Sequence, residues 1–454
     1  MSGAVRSLER FPRTGQMTER AAPTPHSPWK AVGAAFSGSF IEWYDFYLFG
    51  TAAALVFPVL FFPGDDPTAS VIESFGAFAA GFLTRPLGAL LFGHFGDRIG
   101  RKPMLMLTVL LIGAVTCVIG LLPTHESIGA WAAAALIALR LLQGIGIGGE
   151  FGGGSLLALE SAPTGKRGFM GSFHQMGTPA GLLVSTGIVS LVSLLPEEQF
   201  LAWGWRLPFL LSGVFVVIAL IVRSRVPETP AFEASRAKVD RLPMATLFRT
   251  QWRNVLLGIG ARMADAVTFN VINVFAISFA TTHLGLPKSM ILNGFVLAAA
   301  VEIVLLPFLG RLSDRIGRRP VYLTGVLLCG VGGLLYFPVL ATGNTVLVWT
   351  AIVVLVAAGT GCMFAIQGAY FAEMFSTRTR YTGLGVVYQG SALLGGAPTP
   401  AIALALAAAF GYSYWPPAIF LAAMCAVSAV CVLLTTETHR SDLVEDRDAA
   451  AATR

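Results

Sequence analysis

The chain predicts an all-α membrane protein of twelve transmembrane helices, arranged as two pseudo-symmetric halves of six. Three observations point there. Of 454 residues, 55% are hydrophobic and only 12% are Asp, Glu, Lys or Arg, against roughly 25% charged in a soluble domain. The apolar residues fall in twelve long blocks, a pattern that lipid tolerates and water does not. One charged loop string occurs twice, half a chain apart.

The blocks lie near 34–60, 71–95, 104–122, 129–158, 168–194 and 206–222, then near 254–280, 289–311, 321–341, 346–372, 382–409 and 416–436. Each is long enough to cross ~30 Å of hydrocarbon at ~1.5 Å per residue. The sequence divides as a polar tail over 1–30 that reads as disordered, a six-helix half over 31–222, a linker over 223–253, a second half over 254–436 and a tail over 437–454. The first block carries Glu42 and Asp45, which argues against a cleaved signal. The five cysteines all sit inside apolar blocks without metal-ligand spacing, so they read as packing residues.

Charge orients the bundle. With the N-terminus inside, 26 of the 31 Lys and Arg fall on one side: eleven in loops, seven in the linker, and five and three in the tails. The opposite loops hold Asp65, Asp66, Glu126, Glu197 and Glu198. The positive-inside rule therefore predicts both termini in the cytoplasm. The net charge of +6 reflects topology and contact with anionic lipid, and implies no nucleic-acid partner.

The repeated string reads Gly93-His-Phe-Gly-Asp97-Arg98-Ile-Gly100-Arg101-Lys102 and Gly310-Arg-Leu-Ser-Asp314-Arg315-Ile-Gly317-Arg318-Arg319. A second pair follows the fourth and tenth blocks: Glu160 with Arg167, and Glu373 with Arg380. The offsets, 217 and 213 residues, nearly agree, so the chain reads as six helices duplicated. The string G-x-x-x-D-R-x-G-R-[RK] resembles the signature of the major facilitator superfamily. That resemblance implies that these Asp, Glu and Arg residues staple the cytoplasmic helix ends. Glu42-Trp-Tyr-Asp45-Phe-Tyr, Arg140-Leu-Leu-Gln143-Gly-Ile-Gly-Ile-Gly-Gly-Glu150, Gly171-Ser-Phe-His-Gln175, Trp203-Gly-Trp-Arg206-Leu-Pro-Phe209 and Glu228-Thr-Pro-Ala-Phe-Glu233 narrow it. They are similar to the metabolite:proton symporters, a branch with shikimate, α-ketoglutarate, citrate and proline/betaine carriers.

Charges inside spans are costly, ~3 kcal/mol by insertion scales, so they are usually paired or face a wet cavity. Arg85, Arg140 and Arg262 remain there with five acids: Glu42, Asp45, Glu150, Asp265 and Glu302. The excess of acids predicts that some are held protonated, as proton coupling requires. Glu42 and Asp45 share one face, and Arg140, Gln143 and Glu150 share another. These sets read either as a transport site or as ion pairs that only lock helices. Arg85 and Arg140 are the expected anchors for an anionic substrate, because guanidinium presents a planar fork to a carboxylate. Tyr44, with Trp43, Tyr47, Phe82 and Phe173, is an expected wall. His174 and Gln175 would bind substrate hydroxyls or relay a proton, or else make a helix-helix hydrogen bond.

Gly144-Ile-Gly146-Ile-Gly-Gly149 satisfies the dinucleotide fingerprint G-x-G-x-x-G, but no βαβ unit fits within a span. The glycines read instead as a close-packing ladder. No nucleophile stands beside a base and no metal cluster is visible, so an enzyme is not expected. The expectation is a monomeric, proton-coupled symporter in a bacterial inner (plasma) membrane that imports a small organic acid. It would use no cofactor beyond the coupling proton. Osmolyte uptake is the alternative, although the long heptad-rich tail of proline/betaine carriers is missing. Drug efflux is weakened by Gly177-Thr-Pro179-Ala-Gly181, where the antiporter proline is displaced. Sugar transport has only the faint echo Val226-Pro-Glu-Thr-Pro230.

Overall fold

The computed structural model describes residues 27–229, 233 and 243–440. The tail expected to be disordered lies outside these residues up to position 26, as do the middle of the linker, 230–232 and 234–242, and most of the C-terminal tail.

Twelve long helical segments form the molecule, and no strand occurs among the described residues. In chain order they are α1 Pro28–Leu55, α2 Pro67–Ile99, α3 Arg101–Leu121, α4 Trp131–Glu160, α5 Arg167–Val192 and α6 Arg206–Ser224. The second half holds α7 Trp252–Thr282, α8 Lys288–Ile316, α9 Arg318–Ala341, α10 Thr345–Ala372, α11 Arg380–Ala409 and α12 Trp415–Leu434. Eleven of them are long and apolar enough to cross a membrane. The other, α1, spans 28 residues and carries Glu42 and Asp45 in its middle. It packs against α4, α5 and α6 within the first half. Leu83, Val304, Phe308 and Leu335 stand exposed on the outer face, as a lipid-facing surface requires.

The halves meet along two seams, α2 against α11 and α5 against α8. Gly100 and Gly317 join α2 to α3 and α8 to α9, with φ of 131° and 106°. Only glycine adopts that backbone without strain, which explains one fixed position of the repeat. The ladder expected on α4 packs as a ladder: Gly144 lies against the backbone of Gly81, and Gly148 against that of Arg85. Three spans of the second half carry π-helical turns, Val271–Phe275 in α7, Val354–Thr360 in α10 and Ala392–Gly396 in α11. Such turns often mark functional positions.

Candidate functional site

At the end bearing the repeated loops, each half is stitched to the other. Asp97, at the end of α2, accepts hydrogen bonds from the backbone N–H of Tyr381 at 3.2 Å and of Thr382 at 3.0 Å. The Thr382 hydroxyl adds a third at 2.8 Å. Asp314, at the end of α8, accepts from Gly168 at 2.8 Å and Phe169 at 2.9 Å. Each Asp thus sits on the N-terminus of a helix in the opposite half, where free N–H groups and the helix dipole favour an anion.

The Glu residues of the second motif also cross over. Glu160 pairs with Arg380 at 3.2 Å and with Arg101 at 3.5 Å. Glu373 pairs with Arg318 at 3.1 Å and reaches Arg167 at 4.0 Å. In the sequence Glu160 is followed by Arg167, and Glu373 by Arg380. The structure exchanges these partners between halves, because the pseudo-two-fold sets the end of α4 against the start of α11 and the end of α10 against the start of α5. Arg101 and Arg318 also bridge Asp97 and Asp314 at 3.4 and 2.7 Å. Arg98 and Arg315 point to solvent and take part in none of these bridges.

Two acids absent from the expected set support this layer. Glu228 accepts from the backbone N–H of Arg101 at 3.1 Å and of Lys102 at 3.2 Å. Glu437 does the same for Arg318 and Arg319 at 2.8 and 3.0 Å. Burial raises the Glu437 pKa, but the N–H groups of Arg318, Arg319, His439 and Thr438 outweigh it and hold the carboxyl below its ordinary value. The neighbouring Thr229 and Thr438 hydroxyls donate to Glu160 and Glu373. The repeated Glu-Thr pair, 209 residues apart, was the sequence signal for them.

Deeper in the first half, the charges sort differently from the sequence expectation. Glu150 pairs with Arg223 rather than sharing a set with Arg140, and the Thr108 hydroxyl donates to it at 2.6 Å. Arg223 also donates to the carbonyls of Ala34 at 3.1 Å and Leu105. It had been assigned to the linker, yet it lies on the last turns of α6 at 1% exposure. Tyr44 donates to the Pro208 carbonyl at 2.8 Å and is fully buried; it fastens α1 to α6 rather than lining a wall. His174 Nδ1 lies 3.0 Å from the Ala35 carbonyl, the helix-helix alternative. Gln175 is buried with an unpartnered Nε2.

Arg140 and Asp45 are joined through two intermediaries. Arg140 donates to Gln143 Oε1, Gln143 Nε2 donates to the Thr116 hydroxyl at 2.7 Å, and Thr116 lies 2.7 Å from Asp45 Oδ2. Both ends are incomplete: Arg140 Nη2 and Asp45 Oδ1 are buried without partners. The Arg140 guanidinium lies 4.2 Å from the Phe49 ring centroid. Arg85 has neither ion pair nor hydrogen bond among the described residues, and its guanidinium lies over Phe82 at 4.2 Å and Phe46 at 5.4 Å. Glu42 is the acid that acts on it electrostatically.

Across the interface, Arg262 is saturated. It binds Asp265 at 3.2 Å, Gln367 at 3.0 Å, Ser391 at 2.8 Å and the Tyr388 carbonyl at 3.2 Å. Its guanidinium also covers the Tyr388 ring at 3.7 Å, and that ring stacks on Phe151 of the first half with centroids 3.6 Å apart. Glu302 has no hydrogen bond among the described residues and faces Asp265 electrostatically. Glu42, Arg85, Tyr47, Tyr388, Asp265 and Glu302 all interact electrostatically as one cluster spanning the two halves. No group of three or more His, Cys, Asp or Glu side chains among the described residues is placed to hold a metal.

Two bundles of apolar helices, joined by buried charges at one end and enclosing free ionisable groups between them, define a two-half membrane transporter. The comparisons agree. Residues 30–252 match the family model described as sugar (and other) transporter, and residues 258–453 match that of the major facilitator superfamily. The shikimate transporter of Escherichia coli K12 is 40% identical over 417 residues, covering 91% of this chain and 95% of that protein. The proline/betaine transporter of the same strain is 32% identical, covering 91% and 84%. The proton:xylose symporter XylE, bound to 6-bromo-6-deoxy-D-glucose, superposes with a TM-score of 0.73 at 15% identity, covering 93% and 98%. The chain belongs to the major facilitator superfamily and is a multi-pass membrane transporter of metabolites.

Proposed function

We propose that the protein is a proton-coupled symporter that imports a small organic acid of the shikimate type by alternating access. Arg85 carries this reading. It is 8% exposed, lies at the junction of the halves and sits over rings, with no ion pair or hydrogen bond among the described residues and Glu42 acting on it only from a distance. A buried, permanently charged group without a counter-ion is costly, so an anionic ligand supplies what the protein leaves out. Unpartnered amide donors on Gln175, Gln367 and Gln389 suit a substrate with hydroxyls.

Asp45 is the preferred proton carrier. Its link to Arg140 through Thr116 and Gln143 lets protonation alter the guanidinium's attachments, and its free oxygen offers a place for the proton. Glu302, Glu42 and Asp265 remain the other candidates, while Glu150 is held on both oxygens. In this reading the halves are 31–222 and 254–436, both termini are cytoplasmic in a bacterial inner membrane, and the protein acts as a monomer without cofactor. Proteoliposomes under an inward proton gradient should accumulate shikimate or a related acid. Loss of uptake when the gradient is collapsed supports coupling, and gradient-independent accumulation refutes it.

One observation favours a second reading. Glu42 and Glu302, both free of hydrogen bonds among the described residues, could receive the cationic end of a zwitterion whose carboxylate binds Arg85. Competition by betaine or proline, but not by shikimate, would establish it.

A further inference from the structure

We propose that Tyr381 is an asymmetric latch of the gate, a side chain of the second half seated in a glycine slot of the first. It forms with the gate shut and must withdraw for that end to open. Tyr381 opens α11, follows Arg380 and is 1% exposed. Its backbone N–H belongs to the Asp97 staple, but its side chain goes further. The hydroxyl donates to the Gly149 carbonyl at 2.8 Å, well inside α4. The ring lies flat against glycines on two helices. A methyl on Gly96 of α2 would fall within the ring, and one on Gly152 would lie 2.9 Å from its Cδ2. Gly153 meets the phenol from the same helix. The glycine run of α4 therefore has two tasks: Gly144 and Gly148 seat α2, while Gly149, Gly152 and Gly153 receive Tyr381.

The pseudo-two-fold shows that this is not a general feature of the staple. The equivalent of Tyr381 is Gly168, and the equivalent of Gly96 is Ser313. There the small residue lies on the crossing helix, so a methyl on Gly168 would meet Ser313 and the Gly310 backbone. Large against glycine on one seam and glycine against serine on the other give two closures of unequal depth. The α2–α11 seam carries a buried aromatic contact, and the α5–α8 seam carries none among the described residues. Tyr381 makes these contacts only while the halves are together, so its loss favours the state in which they are apart.

The three atoms nearest an added methyl on Gly96 all belong to Tyr381, which makes a coupled test possible. Spin labels at Thr164 and Arg315, exposed positions on opposite halves, report gate separation in a background lacking the native cysteines. The full chain in nanodiscs should give one short distance. Tyr381→Ala and Gly96→Ala should each raise the open-to-closed ratio about tenfold or more, and Tyr381→Phe, which removes only the hydrogen bond, by roughly threefold. Gly96→Ala should add nothing in the Tyr381→Ala background. Unchanged distances, or effects of the two substitutions that multiply, overturn the proposal. If Tyr381→Ala does not fold, Gly96→Ala and Tyr381→Phe decide it alone. The proposal rests on alternating access, but the readout uses neither substrate nor proton gradient. Its failure is therefore distinct from failure of the symport reading.

Discussion

Replacing Arg223 by Met tests whether the Glu150 pair is structural. The guanidinium joins four helices: it sits on α6, binds Glu150 of α4 and donates to carbonyls of α1 and α3. Both side chains are at most 1% exposed. After Arg223→Met, Glu150 keeps Thr108 as a donor but loses its counter-ion. Breaking a buried pair from one side costs about 3–5 kcal/mol, whereas replacing both members by apolar residues is often neutral. At roughly 2 °C per kcal/mol for a large chain, the single variant should melt about 6–10 °C below the native protein. Arg223→Met with Glu150→Leu should recover most of that loss. Tryptophan fluorescence melts in one detergent at one scan rate provide the comparison, since unfolding of such proteins is commonly irreversible. A single variant melting with the native protein, or a double variant no better than the single, refutes the reasoning. A double variant that melts normally but no longer transports would show that the pair serves transport beyond holding the fold.

Arg85→Ala should abolish binding of the organic acid in a thermal-shift titration while the protein still inserts and melts as a single species. Arg85→Lys should restore little, because an ammonium lacks the planar fork. Asp45→Asn should eliminate gradient-driven uptake yet retain substrate exchange across the membrane; equal loss of both would remove Asp45 as the coupling group. Gly38→Ala should destabilise strongly, since its methyl would collide with Arg223 and Glu150, and a melt unchanged from native would contradict the packing. The Glu437 carboxyl has a lowered pKa, so its contribution is complete above its ordinary value of 4.5 and disappears as the pH falls through the lower folded value. Protease resistance of the loop joining α8 to α9 should therefore be flat from pH 5 to 8. Glu437→Gln should reduce it even at pH 7.

The bundle was legible in the sequence because membrane insertion imposes a one-dimensional rule, a long apolar block for each crossing. The repeat was legible because its loop needs a left-handed glycine and a helix-capping Asp at fixed places. Partner choice was not, and Arg223 shows why. At the edge of an apolar block a buried arginine and a topogenic one look alike, and only the positions of Ala34, Leu105 and Glu150 distinguish them. Tyr44 escaped for a similar reason: its hydroxyl is satisfied by the Pro208 carbonyl 164 residues away, and carbonyls leave no mark in a sequence. The exchange of Glu160 and Glu373 between halves follows from symmetry once the repeat is known. The two-fold sets the end of α4 against the start of α11 and the end of α10 against the start of α5, so each acid meets the other copy's arginine. The same symmetry exposes the places where it is broken, namely Tyr381 against Gly168, Gly96 against Ser313, and the π-helical turns within α7, α10 and α11. A transporter needs its halves alike enough to rock about one axis and unlike enough for one substrate to sit between them. The departures from the repeat are therefore where specificity and gating have physical room to reside.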